Sequence, residues 1–149
     1  MSNQPKSQYI CISGRVTKKE EKNIVEYNIT IQSGDIKNIF SLSKNKSFSD
    51  IPVGAWVSIC AASWKGESFI MGILPCPSGY TINQVDIYGY PILVNNNSCV
   101  LATELGNISC TFNCKGVYEH LSNNEGKQMR FWGELHNNTF YIKGGSNPL

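Results

Sequence analysis

The chain has 149 residues, of which 41% are hydrophobic and 16% are charged, and its 13 lysine and arginine residues against 11 aspartate and glutamate residues give a formal charge of +2. This composition excludes an intrinsically disordered chain and a coiled coil. Asn, Ser and Gly are frequent, whereas the residues that favour helices are few, so the composition favours β-strands joined by polar turns. We therefore expect an all-β protein of one or two domains.

The first half of the chain carries alternating apolar patterns that predict five strands. The predicted strands cover 9–16, 25–31, 36–42, 57–61 and 69–73. A polar connector over 44–52 separates the third strand from the fourth, and the last two strands form a hairpin that turns at Lys65-Gly66. The run 75–79 then interrupts the sheet, because its prolines cannot donate to a strand ladder and its glycine favours a turn.

The second half repeats this order of elements. The predicted strands cover 85–89, 99–105 and 108–112, a polar stretch follows over 119–126, and a final hairpin over 129–142 turns at Asn137-Asn138. The run 57–72 matches 129–144 in length and in its central turn, and 12–14 matches 87–89. These matches keep a nearly constant spacing, which predicts an internal duplication with domains over 1–76 and 82–149 and a linker over 77–81.

These elements resemble the oligonucleotide/oligosaccharide-binding (OB) fold, a five-stranded barrel. Each half has a glycine in its first strand, and Val-Gly-Ala-Trp-Val (53–57) introduces the final hairpin of the first half. The second half is similar to small OB domains related to tRNA-anticodon-binding modules. The similarity lies in Val-Asp-Ile-Tyr-Gly (85–89), Ile-Ser-Cys-Thr-Phe (108–112) and the run 126–133, where Met129 and Phe131 replace the usual β-branched residues.

The resemblance implies an all-β fold of two tandem five-stranded OB-like barrels. A single larger β-barrel or sandwich made from all ten strands is the alternative. OB families most often bind single-stranded nucleic acid, and a substantial minority mediate protein-protein contacts, so the fold does not choose between these functions.

Basic residues concentrate in the first half. Its nine Lys and Arg residues against six Asp and Glu residues give +3, whereas the second half carries −1, from four against five. Phosphates therefore fit the first half better. In an OB fold, the loops after the first and fourth strands flank the binding groove. We predict a nucleic-acid site formed by Lys18, Lys19, Lys22, Trp64 and Lys65.

A second predicted surface lies on the second half. If Met129 and Phe131 face inward, Arg130 and Trp132 face outward, and the same alternation places Tyr88 and Tyr90 outside. The first and fourth strands of an OB barrel are neighbours, so these four side chains converge. Because Trp, Tyr and Arg are enriched at interface hot spots, we predict that this surface binds a protein partner or another copy of the chain.

Catalysis and cofactors have little support in the sequence. It contains no phosphate loop, dinucleotide motif or paired carboxylates, and we predict a protein that is not an enzyme and needs no cofactor. Cys110 and Cys114 could form half of a zinc site with His120 or Cys99, but buried thiols on one side of a strand explain them better. No run is apolar enough for a membrane span or signal peptide, so we expect an intracellular protein.

The sequence therefore predicts a non-catalytic protein that binds single-stranded DNA or RNA by phosphate neutralisation and base stacking. An OB-fold scaffold or assembly subunit is the alternative, because a dedicated nucleic-acid binder is often more basic. An extracellular sugar-binding barrel is a weaker interpretation.

Overall fold

A computed structural model describes residues 8–149, which form ten strands and one short helix. The elements are β1 (Gln8–Glu21), β2 (Glu26–Ser33), β3 (Ile36–Ser43), β4 (Trp56–Trp64), β5 (Glu67–Pro75), β6 (Ile82–Ile92), β7 (Ser98–Thr103), β8 (Gly106–Thr111), α1 (Lys115–Asn123), β9 (Met129–His136) and β10 (Thr139–Gly145). The all-β class is confirmed, and every predicted strand has its counterpart. The predicted break at 75–79 is also present, since β5 ends at Pro75 and β6 begins at Ile82.

The helix α1 is the element that strand patterning missed. It overlaps the stretch interpreted as polar, and its apolar residues are few. Leu121 is fully buried, and Val117 and Tyr118 pack against the core, which is the spacing of one helical face. No helix among residues 8–149 is long and apolar enough to cross a bilayer.

All ten strands belong to one sheet, in the order β2-β3-β5-β4-β1-β6-β7-β8-β10-β9. Additional pairs join β1 to β2 and β6 to β9, so the pairings of each half run in a closed cycle. The two halves meet where β1 pairs antiparallel with β6, from Gln8↔Ile87 to Ser13↔Ile82. The halves therefore share a sheet, and the sequence prediction of two separate barrels is not supported in that form.

The core is likewise shared. Its apolar side chains form one cluster that includes Ile12 and Phe40 from the first half and Phe131 and Phe140 from the second. Ile12 and Phe131 lie on the strand faces that the sequence pattern predicted as inward-facing. Burial of one face of every strand in this cluster stabilises the fold.

Corresponding strands of the two halves have the same pairing register. The sequence matches equate the run 12–14 of β1 with 87–89 of β6, and the run 57–61 of β4 with 129–133 of β9. By the same correspondence, Ile10 of β1 is equivalent to Val85 of β6, and Ala61 of β4 is equivalent to Gly133 of β9. Ile10 pairs with Ala61, and Val85 likewise pairs with Gly133. The correspondence found in the sequence thus holds in the hydrogen-bonded ladders.

The ladder between β1 and β6 is symmetric under the same correspondence. Moving each residue of the pair Gln8↔Ile87 to its equivalent in the other half gives Asn83↔Ile12, which is also a pair of this ladder. The pair Ile10↔Val85 exchanges with itself. The two halves therefore meet as two equivalent strands would across a two-fold axis.

A set of amide hydrogen bonds forms a second contact between the halves. In the β9–β10 turn, Asn138 accepts a hydrogen bond from the backbone N–H of Ile39 at 2.8 Å and donates one to its carbonyl oxygen at 2.6 Å. The buried Asn38 donates to the carbonyl oxygen of Leu135 and accepts from the backbone N–H of Asn138, both at 2.8 Å. These bonds, which we call the asparagine clasp, fix the β9–β10 turn against β3.

Candidate nucleic-acid interface

A groove of about 220 Å³ lies on the outer face of β2 and β3. It is lined by Lys22, Asn28, Ile39, Ser41, Gly66, Glu67, Ser68 and Asn138. Asn28 pairs with Ser41 across the two strands, while their neighbours Ile29 and Phe40 are fully buried on the inner face. Ile39 remains 49% exposed. The groove thus combines amide, hydroxyl and apolar groups on the face that OB folds use for oligonucleotides.

Lys22 lies at the rim of this groove. Its ammonium donates hydrogen bonds to Ser41 Oγ at 2.7 Å and to Glu67 Oε2 at 3.1 Å. Glu67 belongs to the hairpin that follows Trp64-Lys65-Gly66, so this ion pair joins the β1–β2 loop to the β4–β5 turn. The structure therefore brings Lys22 next to the predicted hairpin tip, with its charge already compensated by a carboxylate.

The sequence suggested that Lys18 and Lys19 lie in the loop after the first strand. Both lie within β1 instead, because β1 continues to Glu21. Lys18 is exposed beside Glu20 at 3.4 Å and pairs with Thr30 on the outer face. Strand alternation points Lys19 the other way. Its ammonium donates to the carbonyl oxygens of Ser49 and Ile51 at 2.8 and 3.1 Å, which places it outside the groove.

The hairpin tip carries an exposed aromatic ring and a cation beside it. Trp64 is 47% exposed, and Lys65 Nζ lies 5.8 Å from the centre of its ring. Lys65 and Gly66 have positive φ angles of 50° and 82°, as a two-residue hairpin turn requires. Within residues 8–149, Lys65 has no ion-pair partner. This tip therefore presents an exposed ring and a cation without a carboxylate partner.

Three of the four residues of the predicted aromatic surface lie where β6 and β9 pair, whereas Tyr90 pairs with Ala102 of β7. Tyr88 pairs with Arg130, and Asp86 pairs with Trp132, across β6 and β9. Tyr90 lies further along β6 and is 45% exposed. The guanidinium of Arg130 donates to both carboxylate oxygens of Asp86, with Nε at 2.8 and 3.0 Å, and these hydrogen bonds raise the pKa of Arg130.

Trp132 is fixed in place on this surface. Its indole lies on the backbone of Gly144, where an added Cβ would come within 2.5 Å of the indole nitrogen. The guanidinium carbon of Arg130 lies 5.6 Å from the ring centre. An open groove of about 390 Å³ runs from Trp132 to Tyr9 of β1, so the aromatic surface continues across the junction between the halves.

One end of that groove is lined by Glu134. Burial raises the pKa of this carboxyl, but hydrogen bonds from His136 and Lys143 outweigh the burial and leave the pKa below its ordinary value. Glu134 is therefore an ionised acceptor beside the aromatic surface and not a proton donor at neutral pH.

The cysteines and histidines considered for a zinc site do not form one site. Cys110 is buried on β8, opposite Cys99 of β7, whereas Cys114 is exposed at the N-terminus of α1. The idea that Cys110 and Cys114 face the same side of one strand is therefore wrong, because β8 ends at Thr111. His120 Nε2 lies 2.7 Å from the carbonyl oxygen of Ser146. In the described chain, no three His, Cys, Asp or Glu side chains form a metal-binding group.

Apart from Lys22, sequence reasoning missed the residues that line the groove, and it also missed Asn38 beside them. Ile39 is an apolar residue on the polar side of its strand pattern, and Asn38 is a polar residue on the apolar side. Both exceptions mark positions whose partners come from elsewhere in the chain. The partner of both is Asn138, which the sequence identified only as a turn residue.

The sheet topology and the groove on β2 and β3 define an OB-like β fold. Two solved structures of the single-stranded DNA binding protein from Thermus aquaticus are similar to this chain. A deletion variant superposes with a TM-score of 0.69 at 12% identity, covering 95% of this chain and 94% of that one. The wild-type protein gives a TM-score of 0.67 at 11% identity, covering 95% and 92%. The likeness at this identity is one of fold.

Searches by sequence add no family. No protein-family model matches the chain, and no curated protein matches it significantly.

Proposed function

We propose that this protein binds single-stranded DNA and has no catalytic activity. The observation that carries the proposal is the fold shared with single-stranded DNA binding proteins over 95% of the chain. A polar groove on the outer face of β2 and β3 supports it, because OB folds receive oligonucleotides there. The proposal extends to single-stranded RNA if the groove makes no contact that distinguishes ribose from deoxyribose. We also propose that the protein acts inside the cell.

Base stacking and phosphate contact supply the affinity. Trp64 offers an exposed ring for a base, and Lys65 beside it offers an uncompensated charge for a phosphate. Lys18 and Lys22 contribute less, since each already faces a glutamate. Lys19 has no part in the proposal, because its ammonium is held by two backbone carbonyls.

We further propose that each half is an OB-like barrel and that the two arose by duplication, with the boundary at 77–81. The closed cycle of pairings in each half supports the barrels. The common register of Ile10↔Ala61 and Val85↔Gly133 supports the duplication. The likeness of the second half to anticodon-binding OB modules rests on its sequence alone.

The test is the fluorescence anisotropy of a labelled mixed-sequence DNA strand of about 30 nucleotides, a length that two OB units can occupy. The protein is titrated at low and at moderate salt, with RNA of the same sequence and duplex DNA in parallel. We expect single strands to bind more tightly than duplex, and the affinity to fall with salt because phosphate contacts release counterions.

Equal affinity for duplex and single strand would overturn base stacking as the source of affinity. Absence of binding even at low salt would overturn the proposed function. A preference for RNA over DNA would change the ligand and leave the site unchanged.

A second proposal concerns the aromatic surface of β6 and β9. We propose that Tyr88, Tyr90, Arg130 and Trp132 contact a protein, either another copy of this chain or a different partner. The 41% exposure of Trp132, which packs on Gly144, supports this, because Trp, Tyr and Arg are enriched at interface hot spots. Light scattering after size-exclusion chromatography tests the first case. A nuclease-insensitive oligomer that Trp132→Ala dissociates is the expected result, and a monomer would exclude self-association.

A further inference from the structure

Two cysteines lie directly opposite each other on the outer face of the sheet. Cys11 of β1 pairs with Cys60 of β4. Cys11 is half-buried and Cys60 is exposed, so neither thiol is part of the core. The proposed nucleic-acid and protein contacts use neither of them.

The backbone places this pair at a position where side chains approach closely. Val16 of β1 donates to the carbonyl oxygen of Ala55 at 2.8 Å and accepts from the N–H of Gly54 at 2.7 Å, so its backbone groups point towards the β4 side. The backbone N–H and C=O groups of successive strand residues point alternately to the two sides of the strand. Cys11 lies five residues before Val16, so its backbone groups point away from β4. Cys11 and Cys60 therefore form a non-hydrogen-bonded pair. Such pairs have Cα atoms about 4.5 Å apart, within the range of about 4.4–6.8 Å found for disulfides.

The neighbouring pair on the same face shows that side chains here do meet. Ser13 and Ser58 are the next pair on this side of β1 and β4, and their hydroxyl groups hydrogen-bond directly, although Ser13 is fully buried there. Tyr9 is the outward-facing residue on the other side of Cys11, and the neighbouring Cys11 thiol raises the pKa of its phenol.

A small reagent can reach Cys60, the exposed member of the pair. Cys60 and Tyr9 line an open cavity of about 500 Å³ over β1 and β4. Cys99 and Cys110 also lie directly opposite each other, on β7 and β8, but they are only 4% and 2% exposed. The Phe112 N–H donates to the carbonyl oxygen of Asn97 two positions along this ladder, so Cys99 and Cys110 form a hydrogen-bonded pair, in which Cα atoms lie further apart. The chain therefore contains one accessible and one inaccessible pair of opposed cysteines.

We propose that Cys11 and Cys60 form an oxidisable dithiol site, which a low-molecular-mass disulfide converts into a cross-strand disulfide. The Cys60 thiolate attacks one sulfur of the small disulfide, forms a mixed disulfide and releases one small thiolate. The Cys11 thiolate then attacks the Cys60 sulfur and expels the second. The protein loses two electrons and two protons, and the small disulfide becomes two thiols.

The test exposes the native full-length protein to excess glutathione disulfide, traps the remaining thiols by alkylation and maps the digest by mass spectrometry without reduction. We expect a cross-linked peptide joining Cys11 to Cys60, with a mass lower by two hydrogen atoms. Any Cys99–Cys110 link should form about tenfold more slowly or less, because burial blocks access to the thiols.

Single variants establish the sequence of steps. With Cys11→Ser, the second step is impossible, so Cys60 should accumulate as a stable mixed disulfide with glutathione. The double variant Cys99→Ser with Cys110→Ser is the matched control, and it should retain the Cys11–Cys60 link. Under denaturing conditions the same reaction should give mixed pairings among the six cysteines.

Two results would overturn the proposal. One is a wild-type protein in which Cys60 stays as a mixed disulfide to the same extent as in the Cys11→Ser variant. The other is a native protein in which neither thiol reacts while the exposed Cys114 does. In both cases the pair would be no more than two neighbouring thiols.

Discussion

Removal of the exposed ring of Trp64 tests the proposed DNA site most directly. Stacking on an aromatic side chain contributes about 1–3 kcal/mol per base. Lys65 lies over one side of this ring, so we expect a single base to stack on it and the one-base value to apply. Because each 1.4 kcal/mol corresponds to a factor of about ten, Trp64→Ala should weaken single-stranded DNA binding about 5- to 150-fold. Fluorescence anisotropy titrations at one fixed salt concentration measure this change.

Trp132 provides a matched control for this experiment. It is 41% exposed against 47% for Trp64, but it lies on the outer face of β9, away from the β2–β3 groove. At protein concentrations at which light scattering shows both variants to be monomeric, Trp132→Ala should leave the affinity for DNA unchanged, because loss of an oligomer would itself alter the avidity. Urea unfolding of both variants shows whether either substitution disturbs the fold. An equal loss of affinity in the two variants, or no loss in Trp64→Ala, would refute base stacking at the hairpin tip.

Further substitutions test the charge, the clasp and the dithiol. Lys65→Gln should make the slope of log affinity against log salt concentration shallower by about 0.7, because this is the contribution of one phosphate contact on a single strand. Titrations at several salt concentrations measure this slope, and an unchanged slope would exclude the contact. Asn38→Ala should lower the free energy of unfolding by about 1–3 kcal/mol, because it removes both hydrogen bonds of the buried Asn38 side chain, to the carbonyl oxygen of Leu135 and from the N–H of Asn138. Urea denaturation would detect this, and a smaller effect would mean that water replaces the side chain. Oxidation of Cys11 and Cys60 to a disulfide should raise the free energy of unfolding by about 4 kcal/mol, since the loop that it closes contains about 50 residues. The reduced protein in the same denaturant series is the control. Equal stability of the oxidised and reduced proteins would indicate a strained disulfide.

The strands could be predicted from the sequence because each one has one buried face. The alternation of Val85 and Ile87 with Asp86 and Tyr88 is a local signal, and the structure places these residues on the faces that the pattern indicates. The same local rule placed Tyr88, Arg130 and Trp132 on the outer side of neighbouring strands, since it needed only the pairing of β6 with β9.

The groove could not be predicted in the same way. The asparagine clasp joins Asn38 to Asn138, residues that are 100 positions apart, and no local pattern reports such a contact. Lys19 illustrates the opposite failure. Lys19 belongs to a cluster of lysines that suggested a phosphate site. The direction of its side chain is set by β1, which continues to Glu21, and the polar sequence at this end of the strand does not indicate a strand.

The symmetric ladder between β1 and β6 gives each outward-facing position a counterpart in the other half. When β1 is matched to β6 and β4 to β9, Cys11 and Cys60 correspond to Asp86 and Trp132, which also pair directly. In an assembly of identical subunits, these two places would have to carry the same side chains. Because one continuous chain encodes both, the place that holds two thiols on one side of the junction holds a carboxylate and an indole on the other. Covalent linkage therefore lets a nearly two-fold scaffold present two different chemistries in a fixed one-to-one ratio.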